Sequence, residues 1–192
     1  IPEIDAYRYS KIAELATQNK KVSNYHAEKD SIVQKLLEEI TIIKDIVGDE
    51  NEVIVTMSTK VANLLDIASN HMLESGTFQQ GNVELKVKNI DGSPIIRVPS
   101  ARLKTGYQFF DGVTEGETEG GFEAKADAKN INWIIAVRHA LIGVSKTDVT
   151  RIFDPLTNQK ANAWKIDYRK YHDLWIPDNA MEGIWVNIDG QA

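Results

Sequence analysis

Cysteine is absent from this 192-residue chain, so disulfide bonds and thiolate metal sites are excluded. Nothing in the composition therefore indicates an oxidising compartment. Stability has to come from packing. A chain of this length, folded as one domain or two small lobes, buries roughly 70% of the surface that it exposes when unfolded.

Long apolar runs and an excess of basic charge are also missing. Runs such as IIAV at 134–137 are far shorter than the roughly 20 residues of a membrane span. The formal net charge is −6, from 22 basic and 28 acidic residues, which argues against a sequence-independent nucleic-acid binder. We therefore expect no membrane partner and only non-specific contact with DNA.

Apolar periodicity predicts three helices and a hairpin in the first half of the chain. Ile4, Tyr7, Ile12 and Leu15 indicate a helix over 3–17. A wider stripe indicates a second helix that ends at Gly48, and its members are Ile32, Val33, Leu36, Leu37, Ile40, Ile43 and Val47. The run EVIVTMS is typical of a buried strand, and Ser58 is placed to cap a third helix that buries Val61, Leu64, Leu65 and Ala68. Alternation at 83–88, the Asp91-Gly92 turn and the apolar 95–98 predict a β-hairpin.

The second half combines a glycine-rich acidic segment with apolar strands. Four glycines and five acidic residues lie in 111–125, which predicts a mobile loop. The run INWIIAV predicts a strand, RHALIGV a short helical turn and VTRIF another strand. Pro155 and Pro177 are expected to mark strand ends.

The last quarter, Arg151 to Ile188, holds three of the four tryptophans, alternating with Asp, Arg and Lys. This pattern is typical of long two-faced strands whose charged edges meet other copies of the chain. Sugar-binding proteins use exposed tryptophan, but at strand spacing Trp164, Trp175 and Trp185 more often belong to a core or an interface. If Trp164 and Trp175 are core residues, their replacement by Ala should cost about 3–5 kcal/mol.

Candidate catalytic and ligand-binding residues are few. His172 and Asp173 are adjacent, but neighbours in a strand point to opposite faces, and no G-x-S-x-G elbow accompanies them. His26, His71 and His139 lack the spacing of metal ligands. Glutamates between the glycines at 116–121 argue against a phosphate loop. We assign no catalytic, cofactor-binding or metal-binding residue.

A basic and aromatic segment, ARLKTGYQFF, leaves one further alternative open. Its side chains Arg102, Lys104 and Tyr107 could touch an anion, although a solvated loop or a subunit contact is the interpretation that we favour.

Four blocks of the sequence follow one another in a recognisable order: IPEIDAYRYSKIA at 1–13, IDGSPIIRVPSARLKTGY at 90–107, INWIIAVRHALIGV at 131–144 and RIFDPLTNQKANAWKIDYRKYHDLWIPDNAMEGIWV at 151–186. In that order they resemble blocks of the major capsid proteins of tailed bacteriophages with the Hong Kong 97-type fold. The resemblance is specific in its combination of blocks. It implies an α+β fold with a peripheral domain (spine helix and long β-strands) and an axial domain (mixed sheet flanked by helices).

By this resemblance, residues 1–25 would belong to the spine helix of the peripheral domain and 26–145 to the axial domain. Residues 146–177 would form peripheral strands, and 178–192 would return to the axial domain. The family's N-terminal arm and extended loop have no counterpart here. We therefore carry over no crosslinking residue, and we expect this chain to stay monomeric or to form weak oligomers.

The implied function is that of a non-enzymatic structural subunit of an icosahedral phage head, located in the virion and assembled in the host bacterial cytoplasm. Its pentamers and hexamers would enclose double-stranded DNA. Partners would be other copies of the chain, together with scaffolding, portal and decoration proteins.

Two alternatives belong to other functional classes. A hydrolase would require a nucleophile within reach of His172 or His139. A binding or adhesin module would require at least two exposed tryptophans on one face.

Overall fold

The computed structural model describes residues 2–69, 73–80, 82–158 and 160–190. The chain divides into two compact units, one formed by the residues up to Leu141 together with those from Ile176 onward, and the other by Ile142–Trp175. The described residues form three α-helices, at Pro2–Gln18 (α1), Ile32–Val47 (α2) and Thr59–Ala68 (α3). They also form eleven strands, at Val22–Asn24 (β1), Val53–Ser58 (β2), Glu74–Gln80 (β3), Val83–Ile90 (β4), Ser93–Val98 (β5), Tyr107–Phe110 (β6), Gly121–Ala124 (β7), Ile131–Val137 (β8), Ile142–Phe153 (β9), Lys165–Trp175 (β10) and Ile184–Ile188 (β11).

The first unit is built on a seven-stranded mixed sheet in the order β1-β11-β8-β2-β5-β4-β3. Strand β1 is parallel to β11 and β2 is parallel to β5, whereas β8 is antiparallel to both β11 and β2. Strands β1, β2, β5 and β11 therefore point the same way, and their carboxyl ends lie at one edge of the sheet. The predicted α+β class is confirmed.

The core is centred on β8 and α2. All seven residues of β8 are buried, which explains its continuous apolar run, and Trp133 is fully buried among them. Helix α2 turns the predicted stripe inward, with Ile32, Leu36, Ile40 and Ile43 buried at spacings of three and four residues. It ends at Gly48 as predicted, but φ of 83° with ψ of 154° is an extended, essentially glycine-only conformation rather than the left-handed helical one.

One carboxylate lies inside this apolar stripe. Glu39 is 1% exposed, and its Oε2 accepts a hydrogen bond from Trp133 Nε1 at 2.7 Å. Its Oε1 accepts hydrogen bonds from Ser23 Oγ at 2.5 Å and Asn187 Nδ2 at 2.9 Å, and Lys35 Nζ lies 3.4 Å away. These donors belong to β8, β1 and β11, so one buried charge joins α2 to three strands. A buried carboxylate is tolerated only when its charge and lone pairs are satisfied in this way.

The hairpin signals are confirmed, and β3 is one of the strands that the sequence did not predict. The turn between β4 and β5 has positive φ at both Asp91 and Gly92, 48° and 72°, as a type I′ turn requires. Strand β3 pairs with β4 from Glu74 to Gln80, although the sequence ESGTFQQ lacks a strand pattern. The strand forms because the backbone of β4 is available to pair with it, and such pairing can form an edge strand from polar residues.

Two predictions for the second half are wrong in part. The predicted mobile loop 111–125 contains β7, which pairs with β6, and Phe122 packs against Tyr107 with ring centroids 5.5 Å apart. The glycines therefore serve a ten-residue hairpin loop at 111–120 and not an unpacked segment. The predicted helical turn over 138–144 is restricted to a turn at 138–140, because β9 begins at Ile142.

Helix α3 begins as predicted, and of the four side chains predicted to be buried only Leu65 is fully so. Ser58 Oγ accepts a hydrogen bond from the backbone N–H of Val61 at 3.4 Å. The fully buried side chains of the helix are Ala62 and Leu65, whereas Val61, Leu64 and Ala68 are half-buried.

The loop at 111–120 is organised by Asp111. Its carboxylate accepts hydrogen bonds from Val113 N at 2.7 Å and from Thr114 N and Oγ1 at 2.8 and 2.6 Å. These bonds, led by the Thr114 hydroxyl, lower the pKa of Asp111 from 3.8 to about 2. The carboxylate is fully exposed, so its effect is on the local turn.

Replacing Glu39 with Ala should lower the free energy of unfolding by about 3 kcal/mol, because Trp133 Nε1 and Asn187 Nδ2 would lose their buried acceptor. Urea denaturation measures the change. Glu38→Ala is the matched control, since Glu38 is exposed on the same helix, and it should stay within about 0.5 kcal/mol of the wild type. Equal midpoints for the two variants would contradict a stabilising role for the Glu39 network.

The Asp111 turn should persist in acid. Because its folded pKa is lowered, the contribution of the ionised carboxylate is present above the unfolded value of 3.8 and is lost as pH falls through about 2. The side-chain carboxyl carbon, followed by NMR, should titrate near that lower value. In Thr114→Val the midpoint should rise towards 3.8, and an unchanged midpoint would mean that the hydroxyl does not hold the turn.

Candidate functional site

The second unit is a two-stranded antiparallel ribbon with little core of its own. Strands β9 and β10 pair in register from Ile142 opposite Trp175 to Phe153 opposite Lys165, with a register shift next to His172. Among its described residues only Leu174 is buried. An isolated two-stranded ribbon is marginally stable in water, so its exposed side chains are available for contact with a partner.

Two apolar patches lie on opposite faces of this ribbon. Directly opposed residues share a face, and successive residues alternate. We call the group near the chain ends of the unit the base patch, and it consists of Ile142, Val144, Tyr171 and Trp175. We call the group beside the connecting loop the tip patch, and it consists of Ile152, Ile166 and Tyr168. All seven side chains are exposed, with Trp175 at 69% and Ile166 at 70%.

Ionic contacts lie between the two patches. Lys170 Nζ is 2.9 Å from Asp148 Oδ2, its cross-strand partner. Hydrogen bonds from Lys170 and Tyr168 lower the pKa of the Asp148 carboxyl. At the tip, the Lys165 ammonium lies 5.8 Å from the centre of the Phe153 ring. The ribbon therefore presents apolar ends and a charged middle.

A second candidate surface lies in the first unit, at the edge where the parallel strands end. We call it the strand-end pocket, and it has a volume of about 220 Å³. His26 Nδ1 lies 3.0 Å from Asp189 Oδ1 at its rim, which pairs the segment after β1 with the segment after β11. Ser58 and Lys60 at the start of α3 line it as well. The imidazole and the carboxylate are 163 positions apart in sequence, so no sequence motif indicates that they pair.

No protein-family model matches this chain, and no curated protein matches it. The β9–β10 ribbon, the strand-end pocket and the order of the four sequence blocks are therefore the features that bear on function.

The candidate histidines do not form a catalytic group in the described residues. His172 and Asp173 are consecutive on β10 and so point to opposite faces, and His139 is exposed in the turn after β8. His71 lies outside the described residues. His26 is exposed, as its polar sequence context predicts, and lies beside Asp189 at the rim of the strand-end pocket.

The side chains that could touch an anion, Arg102, Lys104 and Tyr107, make separate contacts. The Arg102 guanidinium lies 3.4 Å from Asp5 Oδ2, and Lys104 Nζ donates to Asn130 Oδ1 at 3.1 Å. Tyr107 is buried, its hydroxyl donates to the carbonyl of Ala101, and burial raises its pKa to about 12. These side chains serve internal contacts.

Two further kinds of site, for a metal ion and for a membrane, have no support in the described residues. In the described ranges, histidine and carboxylate side chains do not gather in groups of three or more that could hold a metal ion. Over those same ranges, none of the helices has the length and apolar character to span a bilayer.

The tryptophans divide into internal and exposed pairs. Trp133 is in the core, and Trp185 Nε1 donates to Ser23 Oγ at 3.2 Å beside the Glu39 network. Trp164 and Trp175 are each 69% exposed, so a core role for these two is wrong. Rows of exposed aromatic side chains on a narrow ribbon are typical of contact surfaces.

Replacing Trp164 or Trp175 with Ala should therefore lower the free energy of unfolding by less than about 1 kcal/mol, because neither indole fills the core. Trp133→Ala is the internal comparison and should cost about 3–5 kcal/mol. Thermal melts of the three variants check the order, and a loss at Trp175 equal to that at Trp133 would contradict it.

Proposed function

We propose that this chain is a structural subunit of an icosahedral bacteriophage head, which self-assembles into pentamers and hexamers that enclose double-stranded DNA. The observation that carries the proposal is the β9–β10 ribbon, whose apolar patches have no cover within its own unit. Groups of exposed apolar side chains such as these mark sites of protein association. The four ordered sequence blocks supply the kind of assembly.

The placement of the two patches favours repeated, non-symmetric contacts. The cross-strand pair Ile142–Trp175 of the base patch and the cross-strand pair Ile152–Ile166 of the tip patch lie at opposite ends and on opposite faces of the ribbon. A single flat neighbour cannot cover both, so each ribbon would meet two neighbours. Contacts between unlike patches close into rings when the rotation permits, as pentamers and hexamers require.

The domain assignment follows the sequence resemblance and gains support from the ribbon. Residues 146–177 would form the peripheral strands, and the separate unit Ile142–Trp175 supports a distinct segment there. Helix α1 belongs to the unit of the large sheet, so a peripheral domain that includes residues 1–25 would draw on both units. The axial domain would comprise 26–145 and 178–192.

The charge of the chain suits a container for DNA. A net charge of −6 would repel packaged phosphates, so contact with DNA is non-specific and release is not opposed. Scaffolding, portal and decoration proteins are the further partners of such a shell, which is formed in the host cytoplasm and retained in the virion. We propose no enzymatic activity.

A binding or adhesin module is the second candidate, because Trp164 and Trp175 are both exposed. Trp164 directly precedes β10 and Trp175 ends it, so the eleven residues of the strand separate their Cα atoms by roughly 36 Å at about 3.3 Å per residue. One sugar cannot span that distance. Quenching of tryptophan fluorescence by a glycan panel, lost in the Trp175→Ala variant, would favour this candidate over the first.

The assembly proposal predicts weak self-association of the chain through the ribbon. Sedimentation velocity over a concentration series should show oligomers whose dissociation constant rises about tenfold or more when Ile152 and Ile166 are both changed to Ser. The pair Ile142→Ser and Trp175→Ser should have a similar effect at the base patch.

Val113→Ser is the matched control, since Val113 is 84% exposed but lies in the loop of the first unit. It should leave the association constant unchanged. A chain that stays monomeric at every concentration, or equal weakening by the control and the ribbon variants, would overturn the proposed contact surface.

A further inference from the structure

The strand-end pocket lies where the architecture of the sheet favours ligand binding. Strands β1, β2, β5 and β11 all end at this edge, and each contributes the residues that terminate or follow it. They are His26 and Ala27 after β1, Ser58 at the end of β2, Ser100 after β5 and Asp189 after β11. In open sheets the crevice at the carboxyl ends of parallel strands is the usual ligand site.

The size of the pocket limits what it can hold. A volume of about 220 Å³ has room for about seven water molecules at about 30 Å³ each, which is smaller than a typical drug-sized cavity. The occupant is therefore a compact molecule. The lining of the pocket combines polar side chains with four apolar ones, from Val61, Leu64, Leu103 and Ile131.

The polar lining residues favour a ligand that carries a negative group. Lys60 is an exposed cation that lines the pocket, and within the described part of the chain no carboxylate forms an ion pair with it. Asp189 is the one carboxylate among the lining residues, and it is engaged by His26. Helix α3, ten residues long, begins here and directs its positive end towards the same space.

A hydroxyl group supplies a second donor. Ser100 Oγ is a buried atom without a hydrogen-bond partner in the described residues, and Ser100 lines the pocket. Buried polar atoms are seldom left unsatisfied, so a rotation of the Ser100 side chain that brings this hydroxyl to an acceptor in the pocket would be favourable.

We infer that the strand-end pocket binds a small carboxylate with a short apolar body. The carboxylate lies between Lys60 and Ser100, with the start of α3 beside it. The apolar body contacts Val61, Leu64 and Leu103. Asp189 fixes the His26 imidazole at the rim and leaves its Nε2 for the ligand or for water. All residues that line the pocket belong to the first unit, so the binding requires no residue of the ribbon.

Butyrate is the probe, and its neutral isostere butyramide is the matched control ligand. In NMR titrations of the full chain, butyrate should cause saturable shift changes at Ser58, Lys60 and Ser100 with a millimolar dissociation constant, whereas butyramide should bind about tenfold more weakly. Acidic side chains of a second copy would compete for the same pocket, so the titration is repeated at several protein concentrations. A dissociation constant for butyrate that rises with protein concentration identifies a neighbouring copy as the source of the carboxylate, and a constant value identifies a free small molecule.

Variants locate the site. Lys60→Gln should weaken butyrate binding about tenfold, and Ser100→Ala should weaken it less, because one is a charged donor and the other a neutral one. Lys86→Gln is the control, since Lys86 is an exposed lysine on β4 outside the pocket. Folding of every variant is verified by its unchanged β8 amide shifts. Shift changes that do not saturate, equal affinity for butyrate and butyramide, or equal affinity of Lys60→Gln and Lys86→Gln would each overturn the inference.

Discussion

The structure of the first unit depends on the hydrogen bonds of one buried carboxylate. The Glu39 carboxylate can be buried inside the apolar face of α2 because Trp133, Ser23 and Asn187 each bring a donor to it. Those three residues lie on β8, β1 and β11, so the carboxylate specifies how three strands meet one helix. A slip of one residue in any strand would turn its donor to the other face of the sheet. The position of His26 and Asp189, which follow β1 and β11, is set by the same constraint.

The sequence predicted the elements whose information is local. The bounds of α1 and α2, the Ser58 cap and the Asp91-Gly92 turn depend on periodicity, on a side-chain oxygen at a helix start and on residues that tolerate positive φ. Strand β3 was missed because its pairing with β4 decides its conformation. The acidic loop was assigned too long because Phe122 packs against aromatic residues that the pattern did not connect with it.

The candidate sites follow the same division. The aromatic and charged pattern after Arg151 predicted exposed two-faced strands, and β10 has that character. The position of Trp164 and Trp175 at the surface could not be derived, since a tryptophan at strand spacing fits a core and an interface equally well. The His26–Asp189 pair could not be predicted from the sequence, because only the pairing of β1 with β11 brings those two residues together. The phage-capsid assignment remains a proposal from ordered motifs and an uncovered ribbon.

The pairing of β1 with β11 has a consequence for how the protein is made. Residues 22–24 lie against residues 186–188, so the sheet of the first unit cannot be completed until β11 has been synthesised. The ribbon between Ile142 and Trp175 needs only its own residues and a local turn, and such contacts form early. During synthesis, the surface proposed to meet neighbouring copies can therefore form before β11 completes the sheet. The translation rate over residues 176–188 would then determine how long the apolar ribbon is exposed beside an incomplete first unit.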